Sequence, residues 1–346
     1  MSRLPAEDVL VERFRALFAT RRRDVLLGIG DDAAVVVPGG PLVAATDVLV
    51  EDQDFRSDAD PKRLGRKTVS VNLSDLAAMG AMPLYALFVL GLPKRTEPAW
   101  LDAFAEGVRE AAQEHGIAVV GGDLSASPVL FAGITALGRA PERGVLTRDG
   151  ARAGDALFVS GTLGSAAGGL LLLEAGYRVD AEKRVKAPGR RRLLPPRSTE
   201  VARLLRHQID PRPMLELGRV LAEDRIASAA IDLSDGLSRD LHRLCRASDV
   251  SATIAPSLLP VDSGLADVRD LVELDPLRLA LFGGEDYGLL FSVPRRKLAA
   301  AERLAGRFAI RRIGALDAAH DAGTAWLAEP GGARRLADAG WDHFGR

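Results

Sequence analysis

The sequence has few of the features that mark disulfide-bonded, membrane-bound or nucleic-acid-binding proteins. Cys245 is the one cysteine among 346 residues, which excludes an internal disulfide framework and fits a reducing cytoplasm. No apolar run approaches the roughly 20 residues that span a bilayer, and residues 1–18 are charged and amphipathic, without the apolar core of a signal peptide. The net charge is −1, with both signs interspersed, so we expect neither nucleic acid nor a membrane as a partner.

The length of 346 residues and the hydrophobic content of 47% are typical of two globular domains, each with its own core. Turn-forming residues over 147–155 indicate the boundary. We therefore predict one domain over residues 1–148, an α+β layer structure, and a second over residues 149–346. In the first domain, apolar residues at helical spacing predict helices over 4–20, 61–80 and 97–115.

Residues 28–33 have the G-x-G-x-x-A spacing of a dinucleotide-binding fingerprint. That fingerprint requires a helix to begin at its third small residue. Here a β-branched run ending at Pro38 predicts a strand instead. The adjacent carboxylates of Asp31 and Asp32 would also repel a pyrophosphate unless cations lay between them. The segment is therefore interpreted as a tight turn that presents two carboxylates between short strands.

Acidic residues recur at similar positions along the chain. Four of them are predicted to end apolar strands beside Gly, Ser or Thr: Asp32, Asp47, Asp123 and Asp232. Asp75 and Asn72 share a predicted helix face, and Asp235 lies at a predicted helix start, where it or Ser234 is an equally available N-cap. A single such Asp is usually a turn or cap residue. Their recurrence predicts that folding gathers them in one pocket.

The residue types in these acidic turns indicate a particular chemistry. Clustered carboxylates destabilise a fold unless cations lie between them, and oxygen ligands without His or Cys favour Mg²⁺. Because Mg²⁺ commonly completes its shell with substrate phosphates, ATP or another polyphosphate is the expected ligand. The turns offer no His, Lys or Tyr as a general base. Phosphoryl transfer to an acceptor that is already an anion needs none, since neutralised charge and in-line positioning suffice.

Three further segments are given structural interpretations. Residues 156–175 predict a strand, a Gly-rich loop and a helix, but the loop lacks the Lys of a nucleotide-binding P-loop, so we interpret it as a structural turn. Residues 178–200 are predicted to form an exposed basic loop. Cys245 lies on the apolar stripe of a predicted helix, where a small core residue is the expected role.

Seven motifs together resemble the thiamine-monophosphate kinase family, in the same order and over nearly the whole chain. They are GIGDDAAVV, ATDVLVEDQDF, KTVSVNLSDLAAMGAMP, GGD, LTRDGARAGD, IDLSDGLSRDL and GGEDYGLLF. The family belongs to the superfamily of aminoimidazole ribonucleotide synthetase. The resemblance implies an N-terminal domain that pairs into a dimeric β-barrel, a C-terminal α/β domain, and therefore a homodimer. It also implies direct transfer of the ATP γ-phosphoryl group onto thiamine monophosphate, with several Mg²⁺ ions and no phosphoenzyme.

The resemblance also implies roles for individual residues. The Mg²⁺ ligands would be Asp32, Thr46, Asp47, Asp75, Asp123, Asp232 and Asp235. The nucleotide contacts would be Gly122, Asp123, Arg148 and Ser234, and the substrate contacts Asp54, Glu285 and Trp341. An indole offers a stacking face to the cationic thiamine. For Trp341 and Glu285 there are alternative structural roles, in the C-terminal core and in a Gly turn.

The chain departs from the family pattern at three positions. Asp54 stands where the family commonly has His, Ala45 where Ser or Thr is usual, and Leu124 where Thr is common. An acid at position 54 is unfavourable beside a substrate phosphate unless a metal or proton compensates. Two alternatives stay open. One is an amidine-forming synthetase or another ATP-dependent enzyme of the superfamily, and the other, because of Asp54 and Ala45, is a non-catalytic relative that binds nucleotide or metal. Related selenophosphate synthetases carry a reactive Cys or selenocysteine near the N-terminus, which this chain lacks.

Overall fold

The computed structural model describes residues 4–180, 184–189 and 193–344. They form two compact units. The first comprises the described residues up to Leu76 together with Ala81–Glu142, and the second comprises Ala77–Gly80 together with the described residues from Arg143 onward. Within these ranges none of the helices has both the length and the apolar character that crossing a bilayer requires.

The chain up to residue 142 forms a four-stranded sheet, a small two-stranded sheet and three helices in the described part. The elements are α1 (Glu7–Leu17), β1 (Val25–Leu27), β2 (Val35–Val36), β3 (Leu42–Val50), α2 (Pro61–Ala78), β4 (Met82–Leu92), α3 (Pro98–Glu114), β5 (Ala118–Ala126) and β6 (Phe131–Arg139). The strand order is β3-β6-β4-β5, with β4 and β5 parallel and the other pairs antiparallel. Strands β3 and β5 are therefore the two edges of this sheet.

Helices α2 and α3 pack closely because glycines face each other's backbone. A Cβ on Gly65 of α2 would lie 2.2 Å from the carbonyl oxygen of Phe104, and one on Gly107 of α3 would lie 1.9 Å from that of Lys62. Phe104 in turn stacks on Phe88 of β4, with ring centroids 5.8 Å apart. The predicted helices over 61–80 and 97–115 are confirmed, with apolar stripes that are buried as expected.

The second unit is built on a seven-stranded sheet. Its elements are β7 (Ala156–Ser160), α4 (Ser165–Glu174), β8 (Arg178–Val179), β9 (Val185–Lys186), α5 (Arg197–Ile209), α6 (Leu215–Glu223), β10 (Ala229–Asp232), α7 (Leu237–Ser248), β11 (Ser251–Ile254), α8 (Gly264–Val268), α9 (Pro276–Phe282), β12 (Leu289–Val293), α10 (Leu298–Phe308), β13 (Ile310–Asp317), β14 (Ala325–Glu329) and β15 (Gly332–Arg335). Short 3₁₀ helices cover Pro256–Leu258 and Arg295–Lys297. The strand order is β10-β12-β7-β13-β11-β14-β15, and β11–β14 is its parallel pair.

Two apolar clusters fill the space on the faces of this sheet. Helix α7 contributes Leu237, Leu241, Leu244 and Cys245 to one cluster, and all four are buried. Helix α6 contributes Leu217 and Leu221 to the other. The predicted core role of Cys245 is confirmed. Burial also raises the pKa of its thiol to about 12, so the thiolate is disfavoured.

Two expectations about acidic strand ends are wrong. Asp47 is the sixth of nine residues in β3, and Asp123 is the sixth of nine in β5. Pairing continues past both because the following residues, including Leu49 and Leu124, have partners on the neighbouring strand. Both strands lie at a sheet edge, where a charged side chain remains compatible with pairing on one side. Asp232, by contrast, does end its strand.

Two other expectations need correction. The N-cap residue of α7 is Gly236, and it has no side-chain cap, so neither Ser234 nor Asp235 takes that role. The described part of the predicted basic loop contains the β8–β9 pair and the start of α5 at Arg197. Residues 1–3 of the N-terminal segment, and 181–183 and 190–192 of the loop, lie outside the described ranges.

Candidate active site

In the first unit, Asn72 connects strand β3, which carries Asp47, to helix α2. Its Oδ1 accepts a 2.7 Å hydrogen bond from the amide of Asp47, and its Nδ2 donates to the carbonyl of Thr68 at 2.9 Å. Asn72 is fully buried. Asp75 follows one turn later on the same helix face, so this contact brings the face that carries Asp75 beside Asp47. The sequence indicated the shared face of Asn72 and Asp75, but it carried no signal for the bond to Asp47.

The register of the four-stranded sheet separates the other acidic residues of this unit. Asp47 lies in one row with Ile134, Phe88 and Gly122, whereas Asp123 lies in the next row. Successive rows point to opposite faces, and β3 and β5 are three strand spacings apart, about 14 Å. The sheet therefore does not bring Asp47 and Asp123 together.

Thr46 lies on the same sheet face as Asp123, because side chains alternate along β3. Its hydroxyl donates to the carbonyl of Ile134 at 3.1 Å and accepts from the Thr135 hydroxyl at 3.2 Å. Gly122 has φ 155°, and a Cβ there would lie 1.8 Å from the carbonyl oxygen of Phe88. Only glycine fits this close approach of β5 to β4.

Two exposed turns complete the predicted residues of the first unit. Asp31 and Asp32 are exposed between β1 and β2, and Asp31 Oδ1 accepts a 2.8 Å bond from the amide of Asp32. This bond gives Asp31 a local role and leaves the carboxylate of Asp32 exposed at the turn. Asp54 Oδ2 accepts a 2.8 Å bond from the amide of Val50 and so closes the turn after β3.

In the second unit, backbone hydrogen bonds join three segments that carry predicted site residues. Asp232 ends β10, and the next residues form the turn 233–236. The amides of Glu285 and Tyr287 donate to the carbonyls of Ser234 and Leu233 at 2.8 and 2.9 Å. The amide of Trp341 donates to the carbonyl of Asp235 at 2.9 Å. The five predicted residues that these segments bring together are Asp232, Ser234, Asp235, Glu285 and Trp341.

The loop that carries Glu285 is held by residues that the sequence did not indicate. Glu285 has φ 68°, and its Oε2 accepts a 2.5 Å bond from Nε2 of Gln208, which is only 3% exposed. The carboxylate of Asp286 accepts bonds from the amides of Gly164 and Ala166 at 2.6 and 3.0 Å. These amides at the start of α4 are the groups that a phosphate would need. The structural interpretation of the Gly-rich loop is therefore confirmed.

A cavity of about 330 Å³ lies beside this loop. Its lining includes Thr162, Arg206, His207, Arg212 and Asp286. Desolvation raises the pKa of Asp286 to about 7, although the two backbone amides oppose this. Desolvation and the nearby guanidinium of Arg203 lower the pKa of His207. The guanidinium groups of Arg203, Arg206 and Arg212 give the cavity a mainly cationic lining.

The other predicted contacts of the second unit are solvent-accessible. Trp341 is 45% exposed, and its ring makes an edge-to-face contact with that of His343, with centroids 5.7 Å apart. Arg148 is exposed, and its carbonyl accepts a 2.7 Å bond from Ser248. The neighbouring Thr147 carbonyl accepts a 3.0 Å bond from the amide of Ala230, which places this segment against the start of β10.

The donor groups in both units fit Mg²⁺ better than a softer metal. Among the described residues, no three His, Cys, Asp or Glu side chains form a preassembled metal site. The predicted ligands provide only carboxylate and hydroxyl oxygens. Mg²⁺ typically binds through one or two carboxylates plus waters and substrate phosphates, so it does not require a complete protein cage. The residues present therefore fit Mg²⁺ together with a phosphorylated ligand.

The chain matches known proteins over both units. The family model for the N-terminal domain of AIR synthase related proteins matches residues 30–140. The family model for their C-terminal domain matches residues 152–326. The thiamine-monophosphate kinase of Escherichia coli (strain K12) is 36% identical over 310 residues, which cover 88% of this chain and 87% of the relative. That of Aquifex aeolicus (strain VF5) is 37% identical over 270 residues, covering 78% and 81%.

Solved structures agree with these sequence relatives. Thiamine-monophosphate kinase from Stenotrophomonas maltophilia K279a is 34% identical, with 94% of this chain and 98% of that chain covered and a TM-score of 0.78. The AaThiL structure complexed with AMPPCP and TMP is 29% identical, covers 98% and 97%, and has a TM-score of 0.74. The two-domain fold expected from the motifs is confirmed. The chain belongs to the thiamine-monophosphate kinase family, among the AIR synthase related proteins.

Proposed function

We propose that this protein transfers the γ-phosphoryl group of ATP directly onto the phosphate of thiamine monophosphate and forms thiamine diphosphate. The observation that carries the proposal is the 36% identity to a thiamine-monophosphate kinase over 88% of the chain. The assembly of Asp232, Ser234, Asp235, Glu285 and Trp341 in the second unit supports it. The relative solved with AMPPCP and TMP is consistent with this pair of ligands.

The proposed metal ligands are distributed over both units. In the first unit they are Asp32, Thr46, Asp47, Asp75 and Asp123, and in the second they are Asp232 and Asp235. Bound Mg²⁺ supplies charge neutralisation of the phosphates. Asn72 holds the backbone of Asp47, and backbone bonds around residues 233–235 hold the turn that carries Asp235.

The proposed nucleotide contacts are Gly122, Asp123, Arg148 and Ser234. Arg148 is an exposed permanent cation that suits a phosphate. Gly122 brings backbone close to β4 without a side chain in the way. No general base is needed, because the acceptor oxygen of a phosphate monoester already carries negative charge.

The proposed substrate contacts are Trp341, Glu285 and Asp54. The exposed indole of Trp341 stacks on the cationic thiamine ring system. Glu285 provides a carboxylate that Gln208 orients. Asp54 acts mainly through the loop it closes, since the amide of Val50 already binds one of its oxygens. That bond lessens the electrostatic conflict of an acid beside a substrate phosphate.

The activity is tested with purified protein, ATP, Mg²⁺ and either thiamine monophosphate or free thiamine, with products separated by chromatography. We expect thiamine diphosphate from the monophosphate, no product from free thiamine, and no turnover after chelation of Mg²⁺. Nucleotide binding without turnover would instead favour a non-catalytic relative. Turnover that persists in excess chelator would contradict the metal-dependent mechanism.

Variants connect this activity to the proposed ligands. Asp75→Asn and Asp123→Asn are expected to reduce turnover at least about 100-fold, the loss typical of removing one charge-stabilising group. Thermal stability is expected to change little. Asp58→Asn, an exposed acid paired with Arg56, is the control and should keep full activity. Severe unfolding of both ligand variants would indicate structural roles.

A further inference from the structure

Arg243 of helix α7 lies between two carboxylates of the second unit. Its Nη1 is 2.5 Å from Asp235 Oδ2 and 2.9 Å from Asp240 Oδ1. Asp235 belongs to the turn that is proposed to bind Mg²⁺, whereas Asp240 is fully buried. One guanidinium nitrogen therefore forms ion pairs with both Asp235, a proposed metal ligand, and Asp240, its buried neighbour. A divalent cation that binds Asp235 through Oδ2, or through both carboxylate oxygens, requires this nitrogen to leave Oδ2.

Two backbone amides hold the carboxylate of Asp240 independently of Arg243. Its Oδ2 accepts bonds from the amides of Asp235 and Gly236, both at 3.1 Å. These bonds leave Oδ1 to Arg243. A guanidinium released by Asp235 therefore keeps a buried ionic partner. This retained pair matters because an uncompensated buried charge is strongly destabilising.

The charges around the turn explain why a resident cation is needed there. Asp232 is 3% exposed, Asp235 is partly buried and Asp240 is fully buried, so three carboxylates with little access to water lie on this turn and the first turn of α7. Like charges in a partly dry environment repel one another. Arg243 supplies positive charge to this group through its contacts with Asp235 and Asp240.

We propose that Arg243 is a resident cation that occupies Asp235 in the metal-free protein and gives way to a divalent cation while remaining paired with Asp240. This inference rests on the proposed function, because it takes Asp235 as a metal ligand. Arg243 and Asp240 are positioning residues here, since they act on the metal through Asp235. The competition weakens divalent binding but keeps the turn ordered when no metal is bound.

The test is Mn²⁺ binding to the full chain, followed by electron paramagnetic resonance of free Mn²⁺, together with thermal unfolding. Arg243→Gln is expected to bind Mn²⁺ about fivefold more tightly, as expected when a competing ion pair of modest strength is removed. Its metal-free melting temperature should fall, and Mn²⁺ should raise that temperature more than in the wild type. Arg243→Lys keeps the charge and should stay within about twofold of the wild type.

Asp240→Asn is expected to change the affinity in the opposite direction, because Arg243 then has only Asp235 as an ionic partner. A merely structural role for the pair would weaken Mn²⁺ binding in both variants. Arg246→Gln is the matched control, since Arg246 lies one turn later on α7 and pairs with Asp338 at 2.6 Å. It should leave Mn²⁺ affinity unchanged.

Equal or weaker Mn²⁺ binding by Arg243→Gln would overturn the proposed exchange of Arg243 for a divalent cation at Asp235. If the wild type then still forms thiamine diphosphate, the proposed function stands without it. Failure of the wild-type protein to bind Mn²⁺ would overturn both the exchange and the metal role of Asp235. Should Arg243→Gln not fold, unchanged or tighter Mn²⁺ binding by Asp240→Asn would overturn the exchange on its own.

Discussion

Asp24 accepts hydrogen bonds from two side chains that belong to different parts of the first unit. Arg22 binds it through Nε at 3.0 Å and Nη2 at 2.6 Å, and the hydroxyl of Tyr85 binds it at 2.7 Å. Arg22 also donates through Nη1 to the carbonyls of Leu84 and Gly116, at 2.9 and 3.0 Å. The guanidinium and the phenol together hold the pKa of Asp24 well below its usual range. This network fastens the segment before β1 to strand β4.

We expect Asp24→Asn to lower the free energy of unfolding by about 2 kcal/mol at pH 7, the size of a charge-assisted hydrogen bond. A lowered pKa means that the stabilisation is present above the unfolded-state value, near 4, and is lost as the pH falls toward the folded-state value. The difference between wild type and variant should therefore shrink below about pH 4. Urea titrations at several pH values measure this difference in the free energy of unfolding.

The control for this prediction is Glu12→Gln, which removes an exposed acid paired with Arg15. Exposed pairs contribute less than about 1 kcal/mol. A difference between wild type and Asp24→Asn that stays constant down to pH 2 would show that the charge of Asp24 is not the cause.

The packing of α2 against α3 depends on a local sequence pattern and, separately, on a contact between distant residues. Apolar spacing along α2 and α3 predicted which face each helix buries, and burial confirms it. The distance between the helices is set instead by Gly65 and Gly107, whose hydrogens face backbone oxygens of the opposite helix. Nothing in the periodicity of either helix marks these glycines, because the constraint comes from a partner far along the chain.

Gly65→Ala is expected to destabilise the protein by about 2 kcal/mol, because the new methyl must push α3 away or strain both backbones. Gly306→Ala is the matched control. It lies within α10, where a Cβ would meet nothing within 4 Å. There the same change should raise stability by about 0.5–1 kcal/mol through helix propensity. Thermal unfolding of both variants measures the contrast, and equal effects would refute the packing explanation.

For the molecule as a whole, the edge strand β3 is a candidate surface for association with a second copy of the chain. It is nine residues long, and Leu42 and Val48 are exposed on it. An unpaired edge with apolar side chains is a template for pairing with another chain. We propose that two copies pair through this sheet into the dimeric β-barrel that the family resemblance implies.

Replacing Leu42 and Ala44 together by Lys should convert the proposed dimer into a monomer, since charged side chains on an edge strand oppose pairing. Both residues are exposed and lie on one face of β3. Sedimentation velocity at micromolar concentration measures the change. Val9→Lys places the same charge on the exposed side of α1 and should leave the oligomeric state unchanged. A wild-type monomer, or a double variant that still dimerises, would contradict pairing through β3.

Much of the architecture followed from short-range patterns. The helices α2, α3 and α7, the acidic turn at Asp31 and Asp32 and the core position of Cys245 were all readable from neighbouring residues. Such patterns report how one face of a segment is buried, whatever covers it. The ordered set of motifs likewise predicted the family, because each motif is a contiguous stretch.

Only the tertiary structure shows where the strands end and which side chains form hydrogen bonds to the candidate site residues. Strands β3 and β5 continue past Asp47 and Asp123 because distant strands pair with them. Asn72 reaches Asp47 across 25 residues, and Gln208 reaches Glu285 across 77. Each bond depends on two segments packing together, which no periodicity along one segment encodes. The spacing of apolar residues along a segment determines which of its faces is buried. Which distant residue becomes a hydrogen-bond partner is decided only when the folded chain brings the two segments together.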